Sequence, residues 1–357
     1  MAATGSGAPA GIRAEGSERV CVIGAGSWGT AIAAHLASRG HEVRLWSHGQ
    51  LVADGINGRH RNPRYLSDVD LPEGIEASCD LAWCLQGAHS VAYVVPSKNL
   101  REVARASAAY LEPDAACAVL TKGIEPGSCA FMTQVVAQEI GSPRRVGCLC
   151  GPNFAAEVAR GIPSAAVVAC EERDTALRLQ ALFHAPRFRT YVSGDPVGVE
   201  TCAASKNVMA IACGIARGMG TGDNTAAMLM TRGLAEMGRL VAATGGDPVT
   251  CMGLAGMGDL VATCTSTHSR NYTFGVGFAG GESVEAYMER THMVVEGYYA
   301  CDSIMQLATR AGVELPLVRS VHRVLYEGEA LDDVVDELFA REPRTEFYGF
   351  QTDHTTA

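Results

Sequence analysis

The stretch RVCVIGAGSWGTAIAAHLASRGHEVRLW, residues 19–46, decides the expected fold. It contains an apolar run, a glycine-rich turn, a small-residue helical pattern and a second apolar run. Within the turn, Gly24, Gly26 and Gly29 form G-x-G-x-x-G. In a βαβ unit the first glycine permits a tight turn, the second lets a pyrophosphate approach the backbone, and the third brings the helix close to the sheet. The start of the helix adds amide donors, so the stretch predicts dinucleotide binding.

Further apolar runs alternate with helical patterns as far as residue 192. The runs are RVCVIG, EVRLW, SVAYVVP, ACAVLTKG, RVGCLCG and PSAAVVAC. Nearly continuous apolar runs are typical of parallel strands that are buried on both faces. We therefore predict an α/β domain over residues 19–194, a Rossmann-type doubly wound sheet.

The pattern changes after SGDP at residues 193–196. Long helical patterns rich in Ala and Met follow, such as residues 197–219 and 225–243, and β-branched runs become rare. These features predict an all-α C-terminal domain over residues 195–341. Residues 1–18 are rich in Gly, Ala and Ser and are predicted to be a disordered tail, and residues 342–357 are predicted to be an irregular tail.

Composition excludes several classes of protein. The chain has 357 residues and a net charge of -10, which argues against nucleic acid or an anionic membrane as the main partner. Its 13 cysteines are scattered without C-x-x-C spacing, so we expect reduced thiols and no metal site. No run approaches the roughly 20 apolar residues that span a bilayer. These observations predict a cytoplasmic protein without membrane insertion.

The end of the second apolar run bears on the choice of cofactor. An acidic residue that would bind the ribose hydroxyls of NAD is expected there, but Ser47 and His48 occupy the place. Without a carboxylate to repel it, a 2′-phosphate is tolerated, so the sequence allows NADP as well as NAD. Whether His48 contacts the cofactor or is an ordinary exposed loop residue stays open.

Several longer motifs occur in a fixed order. They are GAGSWGTA (24–31), TKGIE (121–125), CGPNFAAEV (150–158), a Lys–Asn helix (206–207), RGLAEMGRL (232–240), GLAGMGDLVATCTSTHSRN (253–271) and VVEGY (294–298). Together they resemble the NAD(P)-dependent glycerol-3-phosphate dehydrogenases, from about residue 19 to residue 341. The resemblance implies hydride transfer between NAD(P)H and dihydroxyacetone phosphate, giving sn-glycerol 3-phosphate for phospholipid synthesis, without a metal.

The resemblance also implies site residues at the matching positions. The catalytic set comprises Lys206, which transfers the proton, with Lys122, Asp259 and Thr263. The substrate contacts comprise Lys122, Gly151, Asn153, Lys206, Asp259, Ser269, Arg270 and Asn271. The cofactor contacts, together with the motif glycines, comprise Gly24, Gly26, Ser27, Trp28, Gly29, His48, Lys122, Ala155, Arg270, Val294 and Glu296. Two positions depart from the usual pattern, since Asn153 replaces Ser or Thr and Trp28 replaces another aromatic residue.

Lys206 stands alone among small and apolar residues in TCAASKNVMAIACGIA, residues 201–216. Reduction of a ketone needs an acid that protonates the carbonyl oxygen, and burial or a nearby Lys122 would lower the pKa of Lys206 towards neutrality. Asp259 would raise that pKa and hold the amine. The alternatives are a Lys206 side chain that extends to water and an Asp259 that caps a helix. Thr263, one turn after Asp259, faces the same cavity or bonds back to its own helix.

Arg270 lies between Ser269 and Asn271 at the start of a helical pattern. A guanidinium and helix-terminal amides suit a phosphoryl group, and this explains how an acidic protein binds a dianion. Solvated side chains are the alternative.

Two other functions stay open at this point. One is a related two-domain dehydrogenase for a β-hydroxy acid or a ketopantoate-like substrate, and the other is a dinucleotide-binding protein without catalysis. Dimerisation is common in such families, so a homodimer is also open, although the sequence identifies no interface.

Overall fold

The computed structural model describes residues 17–346 and 348–349. Within this part of the chain, one eight-stranded sheet has the order β3-β2-β1-β4-β5-β6-β7-β8. The strands are β1 (Arg19–Ile23), β2 (Glu42–Trp46), β3 (Ile75–Ser78), β4 (Ser90–Tyr93), β5 (Ala116–Val119), β6 (Val146–Cys150), β7 (Ser164–Ala169) and β8 (Phe188–Ser193). The strand order reverses between β1 and β4, and doubly wound sheets bind ligands at the carboxyl ends of the strands at this point. The expected Rossmann-type sheet is confirmed.

The sheet differs from the expectation at one strand pair. All neighbouring strands run parallel except β6 and β7, which are antiparallel with Cys148 opposite Ala169. Only residues 151–163 connect these two strands, and the connection contains one short helix. The chain therefore reverses its direction in the sheet within this connection.

Two strands, β3 and β8, were not among the predicted runs. Both lie at the edges of the sheet. In β8 the residues alternate, with Phe188 and Thr190 buried and Arg189 and Tyr191 exposed. A search for continuous apolar runs detects strands that are covered on both faces, so it misses an edge strand of this kind.

Seven helices belong to the sheet-containing part. They are α1 (Ser27–Ser38), α2 (Gln50–Arg59), α3 (Leu81–Leu85), α4 (Leu100–Ala108), α5 (Met132–Ile140), α6 (Ala155–Ala159) and α7 (Arg173–Phe183). The turn before α1 requires glycine at two positions. Gly24 has φ +118°, and a Cβ on Gly29 would lie 1.7 Å from the Gly24 carbonyl oxygen. Because Gly29 has no Cβ, its backbone can approach the Gly24 carbonyl, and α1 can start directly above the carboxyl end of β1.

The described residues after 195 contain helices and no strand, which confirms the expected all-α part. The helices are α8 (Pro196–Gly218), α9 (Asp223–Ala243), α10 (Asp259–Thr265), α11 (Arg270–Ala279), α12 (Val284–Thr291), α13 (Glu296–Ala311), α14 (Pro316–His322) and α15 (Leu331–Phe339). The predicted helices at 197–219 and 225–243 correspond to α8 and α9. Helix α8 begins where the sequence favours a start, because Asp195 caps the amide of Gly198 and Pro196 takes the first position.

Helix α8 lies at the centre of the molecule. Its residues from Gly198 to Ala216 are buried, and α9, α10, α11 and α13 pack around it. The same apolar core includes Cys148 and Cys150 of β6. Because α8 is covered on all sides, Lys206 in its middle is held inside the protein near the carboxyl end of β6.

The predicted tails are only partly described. Residues 1–16, 347 and 350–357 lie outside the described residues. Ser17 donates a hydrogen bond to the Gly40 carbonyl, and at the other end Tyr348 accepts one from Arg239. The boundaries at 194 and 341 stay predictions, although the last strand ends at Ser193 and α8 begins at Pro196.

Two further features bear on the predicted chemistry. All thirteen cysteines are free, and twelve of them are buried. Among the described residues, no helix is long and apolar enough to cross a membrane.

Glu200 of α8 connects the helical part to the sheet-containing part. Its carboxylate is buried and accepts hydrogen bonds from the Thr133 amide at 2.9 Å and from the Thr133 hydroxyl. Thr133 lies in the first turn of α5, so Glu200 satisfies a free amide there. Burial raises the pKa of Glu200 to about 7, although the bonds from Thr133 oppose the shift.

We predict that Glu200→Gln gains stability relative to the wild type as the pH rises from 5 to 8. Because the Glu200 pKa is higher in the folded state, folding binds a proton, and this stabilisation is lost as the pH rises through about 7. Glutamine stays neutral and can still donate to the Thr133 hydroxyl. The relative gain in the free energy of unfolding is on the order of 3 kcal/mol. Urea denaturation of both proteins across this pH range measures the free energy of unfolding of each. A difference between the two proteins that does not change with pH would contradict the argument.

Candidate active site

Two lysines share one carboxylate at the centre of the site. Lys206 Nζ on α8 lies 2.6 Å from Asp259 Oδ1, and Lys122 Nζ lies 2.7 Å from Asp259 Oδ2. Lys206 and Asp259 are buried, with 6% and 2% exposure, whereas the Lys122 side chain is partly exposed. Lys122 follows β5 and Asp259 begins α10, so three separate elements meet at this point. We name Lys206, Lys122, Asp259 and Thr263 the lysine cluster.

The charges of the cluster set the pKa values of its members. Burial lowers the pKa of Lys206 to about 8, with Asp259 opposing the shift and Lys122 adding to it. Burial also lowers the pKa of Lys122, but Asp259 outweighs this effect and leaves the pKa above its ordinary value. Burial raises the pKa of Asp259, and the two lysines reverse the shift, so the carboxyl stays ionised. Lys206 is therefore the group in the cluster that can exchange a proton near neutral pH.

Thr263 completes the surroundings of Lys206. Its hydroxyl oxygen lies 2.8 Å from Lys206 Nζ and donates to the Asp259 carbonyl at 2.5 Å. Thr263 therefore bonds back to its own helix, as one of the two alternatives expects, and its hydroxyl also contacts Lys206. An ammonium has three donors, and Lys206 directs one at Asp259 and one at Thr263, so one donor remains.

The turn after β6 lies beside Lys122. Lys122 Nζ donates to the Gly151 carbonyl at 3.2 Å. Asn153 donates its amide hydrogens to the carbonyls of Pro152 and Ala165, while its Oδ1 is buried without a partner among the described residues. Asn153 thus offers an acceptor at a position where the resemblance expects a hydroxyl.

The Ser269–Arg270–Asn271 segment begins α11. The Ser269 side chain caps this helix by accepting from the Tyr272 amide. Arg270 is exposed, and its guanidinium makes no hydrogen bond or ion pair with the described residues. The segment therefore offers a free cation at a helix N-terminus, which suits a phosphoryl group.

Asn271 is buried and makes bonds at both ends of its side chain. Its Nδ2 donates to Asn207 Oδ1 at 2.9 Å, and its Oδ1 accepts from the Gly297 amide at 2.9 Å. Asn207 is the neighbour of Lys206 on α8. These contacts connect the start of α11 to the helix that carries Lys206.

Glu296, the first residue of α13, faces the sheet-containing part. Its Oε2 accepts a hydrogen bond of 2.8 Å from the Ser97 hydroxyl, and Ser97 follows β4 at the carboxyl edge of the sheet. Burial raises the pKa of Glu296, and Ser97 and Arg270 oppose the shift.

The glycine turn fits a dinucleotide. No side chain caps the N-terminus of α1, and its first turn has no acidic residue. A Cβ on Gly26 would have no neighbour within 4 Å, so the backbone there is open to a phosphate. Trp28 Nε1 is a buried donor without a partner among the described residues. Free amides and an open backbone at a helix start suit a pyrophosphate.

The residues that follow β2 are the candidates for contact with the ribose of a dinucleotide. Ser47 is buried and bonds to the Gly49 carbonyl, whereas His48 is exposed, with its ring at right angles to that of Trp46. No carboxylate caps the N-terminus of α2 that follows. This edge therefore has no group that would exclude a 2′-phosphate.

The structure joins some of the predicted site residues by hydrogen bonds. Hydrogen bonds link the lysine cluster to Gly151, and Asn271 is linked to the neighbour of Lys206. Among the described residues, no hydrogen bond or ion pair links the cluster to His48, Ala155 or Val294, which lie at the end of β2, at the start of α6 and before α13. Among the described residues, no group of three His, Cys, Asp or Glu side chains could hold a metal.

Sequence reasoning missed Ser97 and Asn207 as site residues. Ser97 follows the predicted strand run SVAYVVP, and position at the end of a strand was a usable signal. Asn207 belonged to the Lys–Asn motif at 206–207, but the motif assigned it no role.

Comparisons with known proteins agree with this geometry. Residues 19–176 match the N-terminal model of the NAD-dependent glycerol-3-phosphate dehydrogenases, and residues 195–336 match the C-terminal model. A glycerol-3-phosphate dehydrogenase [NAD(P)+] from Corynebacterium urealyticum is 46% identical over 330 residues, covering 92% of this chain and 99% of the relative. The corresponding protein from Streptomyces griseus is 45% identical over 329 residues, covering 92% and 98%.

A solved structure shows the same similarity. The crystal structure of glycerol-3-phosphate dehydrogenase from Coxiella burnetii superposes with a TM-score of 0.86 at 39% identity, covering 91% of this chain and 99% of that chain. The chain therefore belongs to the NAD(P)-dependent glycerol-3-phosphate dehydrogenase family.

Proposed function

We propose that this protein catalyses the reversible reduction of dihydroxyacetone phosphate to sn-glycerol 3-phosphate with NADH or NADPH. The observation that carries the proposal is the buried Lys206, held by Asp259 and Thr263 with one donor left over and a pKa of about 8. Such a group gives a proton to a carbonyl oxygen in one direction and accepts it from a hydroxyl in the other. The family membership of the chain supports the same reaction.

The nicotinamide dinucleotide, when bound, supplies the hydride that reduces the carbonyl carbon. The turn at residues 24–29 and the open start of α1 bind its pyrophosphate. Glu296 lies at the start of α13, at the edge of the same crevice, and can accept hydrogen bonds from polar groups of the cofactor. The edge formed by Ser47 and His48 accepts either form of the adenosine ribose.

Lys206 and Lys122 then act on the substrate oxygens. The free donor of Lys206 points to the carbonyl oxygen, and the transfer of its proton leaves a neutral amine that is still hydrogen-bonded to Asp259. Lys122 contributes a second positive charge, which stabilises the oxygen as charge develops on it. The free Arg270 guanidinium and the α11 amides hold the phosphoryl group.

We also propose a homodimer located in the cytoplasm. Four exposed apolar side chains lie on consecutive segments of the chain beside Asp259: Val249, Met252, Met257 and Val261. A second copy of the chain would cover them. Light scattering of the purified protein tests the dimer, and a particle of 37.5 kDa would contradict it.

The direct test compares substrates and both reduced cofactors side by side. We expect the wild-type protein to oxidise NADH or NADPH with dihydroxyacetone phosphate and not with ketopantoate or β-keto acids. Lys206→Met should lower turnover by about a thousandfold, because the acid is lost. The affinity for NADH, measured by fluorescence titration, should survive. Loss of both would indicate a folding defect, and turnover only with a keto acid would refute the proposal.

The pH dependence of reduction should follow Lys206. Because the acid must carry its proton, turnover should fall as the pH rises through about 8. Lys122→Met removes a charge that lowers the pKa of Lys206, so the fall should move to higher pH. Asp259→Asn removes a negative charge that raises the pKa of Lys206, so the fall in turnover should move to lower pH. Residual turnover measured across pH 6–10 tests both, and shifts in the same direction would contradict this assignment.

Arg270→Ala should discriminate between phosphorylated and unphosphorylated substrates. We expect kcat/KM for dihydroxyacetone phosphate to fall roughly a hundredfold, since two charge-assisted hydrogen bonds are lost. Dihydroxyacetone, which has no phosphoryl group, should lose far less. Steady-state kinetics with both ketones measure the ratio, and equal losses would exclude a phosphate role for Arg270.

A further inference from the structure

A chain of hydrogen bonds outside the lysine cluster connects the helical part to the sheet-containing part. It begins on α8, where Asn207 Oδ1 accepts from Asn271 Nδ2, and continues from Asn271 Oδ1 to the Gly297 amide, with both bonds at 2.9 Å. Asn207 and Asn271 are 5% and 8% exposed. Because these bonds use the oxygen and one hydrogen of the Asn271 amide, only one N–H is left for a substrate.

The chain continues through the next residue to the sheet. Gly297 and Glu296 are neighbours at the start of α13, and the Glu296 carboxylate accepts from the Ser97 hydroxyl at 2.8 Å. Ser97 lies after β4, at the carboxyl edge of the sheet, where the proposed function places the cofactor. We call Asn207, Asn271, Gly297, Glu296 and Ser97 the relay.

The middle of the relay has no room for a side chain. A Cβ on Gly297 would lie 2.6 Å from the Asn207 carbonyl oxygen and 2.9 Å from Asn271 Oδ1. The first atom is backbone in the central helix, and the second is fixed by its hydrogen bonds. Neither can move aside without breaking the connection between α8, α11 and α13.

We propose that Ser97 and Asn207 are positioning residues that act through the relay. They hold Glu296, on the cofactor side, at a fixed separation from Arg270 and Asn271, which hold the phosphate. The inference rests on the proposed function, in which the hydride must cross a short gap to the carbonyl carbon. Reacting atoms must lie about 3–3.5 Å apart in such a step, so a small shift of either binding group slows it strongly.

The Ser97 end can be tested with a matched pair of variants. Ser97→Ala removes the donor to Glu296, and Ser97→Thr keeps it. We expect Ser97→Ala to lower kcat/KM for dihydroxyacetone phosphate by about tenfold, since a hydrogen bond to a charged group is lost. The loss should appear mostly as a lower kcat and a higher KM for NADH. Ser97→Thr should restore most of the loss. The kcat/KM for dihydroxyacetone should fall less, because this ketone has no phosphoryl group that must be held at a fixed distance from the cofactor.

The Gly297 end has a matched glycine as its control. Gly297→Ala should lower kcat/KM at least as much as Ser97→Ala. Gly233→Ala, on α9, also packs on α8, but its new Cβ would meet the flexible Met209 side chain, so its kinetics should stay near the wild type. The double variant Ser97→Ala/Gly297→Ala should lose much less than the product of the two single losses, because either change interrupts the same relay.

The outcomes separate this inference from the proposed function. If the wild type reduces dihydroxyacetone phosphate but Ser97→Ala behaves like the wild type, or Ser97→Thr fails to restore it, the relay is refuted and the function stands. Independent, multiplying losses in the double variant would also refute the relay. A wild type that is inactive with dihydroxyacetone phosphate would refute the function itself. Circular dichroism melting of each variant identifies losses caused by unfolding, and the Ser97 pair decides if Gly297→Ala does not fold.

Discussion

Two lysine ammonium groups share the Asp259 carboxylate, and this contact requires that α8, α10 and the residues after β5 meet at one point. Removing a charge from water is costly, so a buried ammonium persists only with a close counter-charge and further hydrogen bonds. Asp259 gives one oxygen to each lysine, and Thr263 and Gly151 accept the next hydrogen bonds. The cluster keeps one more positive charge than negative, which suits an anionic substrate and a developing oxyanion.

The division of roles between the two lysines follows from their depth. Lys206 comes from the middle of a helix that is covered on every side, whereas Lys122 projects from a strand end and keeps part of its side chain exposed. Burial therefore lowers the pKa of Lys206 to about 8, while Asp259 keeps that of Lys122 high. The more buried lysine is therefore the one whose pKa lies closer to neutrality, and the other keeps its charge.

Local sequence determined much of this molecule. The strand–turn–helix order around Gly24 and Gly29, the cap at Asp195 and the long patterns of α8 and α9 depend on neighbours in the chain, so they were predictable. The edge strand β8 and the reversal between β6 and β7 depend on sheet neighbours that are distant in sequence. Ser97 could have been suspected from its strand end, but its bond to Glu296 spans 199 residues, and no local pattern encodes that contact.

Three buried carboxyls in the same fold show that the partner, and not burial alone, decides the protonation state. Glu200 accepts from Thr133, and Glu236 accepts from the amides of Leu317 and Val318; burial raises both pKa values to about 7. Asp259 is equally buried, yet its two ammonium partners hold its pKa below the ordinary value. Hydrogen bonds from neutral donors thus leave the pKa values of Glu200 and Glu236 raised, whereas two ammonium groups in direct contact lower that of Asp259. Because the pKa of Lys122 lies above its ordinary value, Lys122 remains charged and paired with Asp259 even when Lys206 is deprotonated, so the carboxylate stays ionised in both protonation states of Lys206.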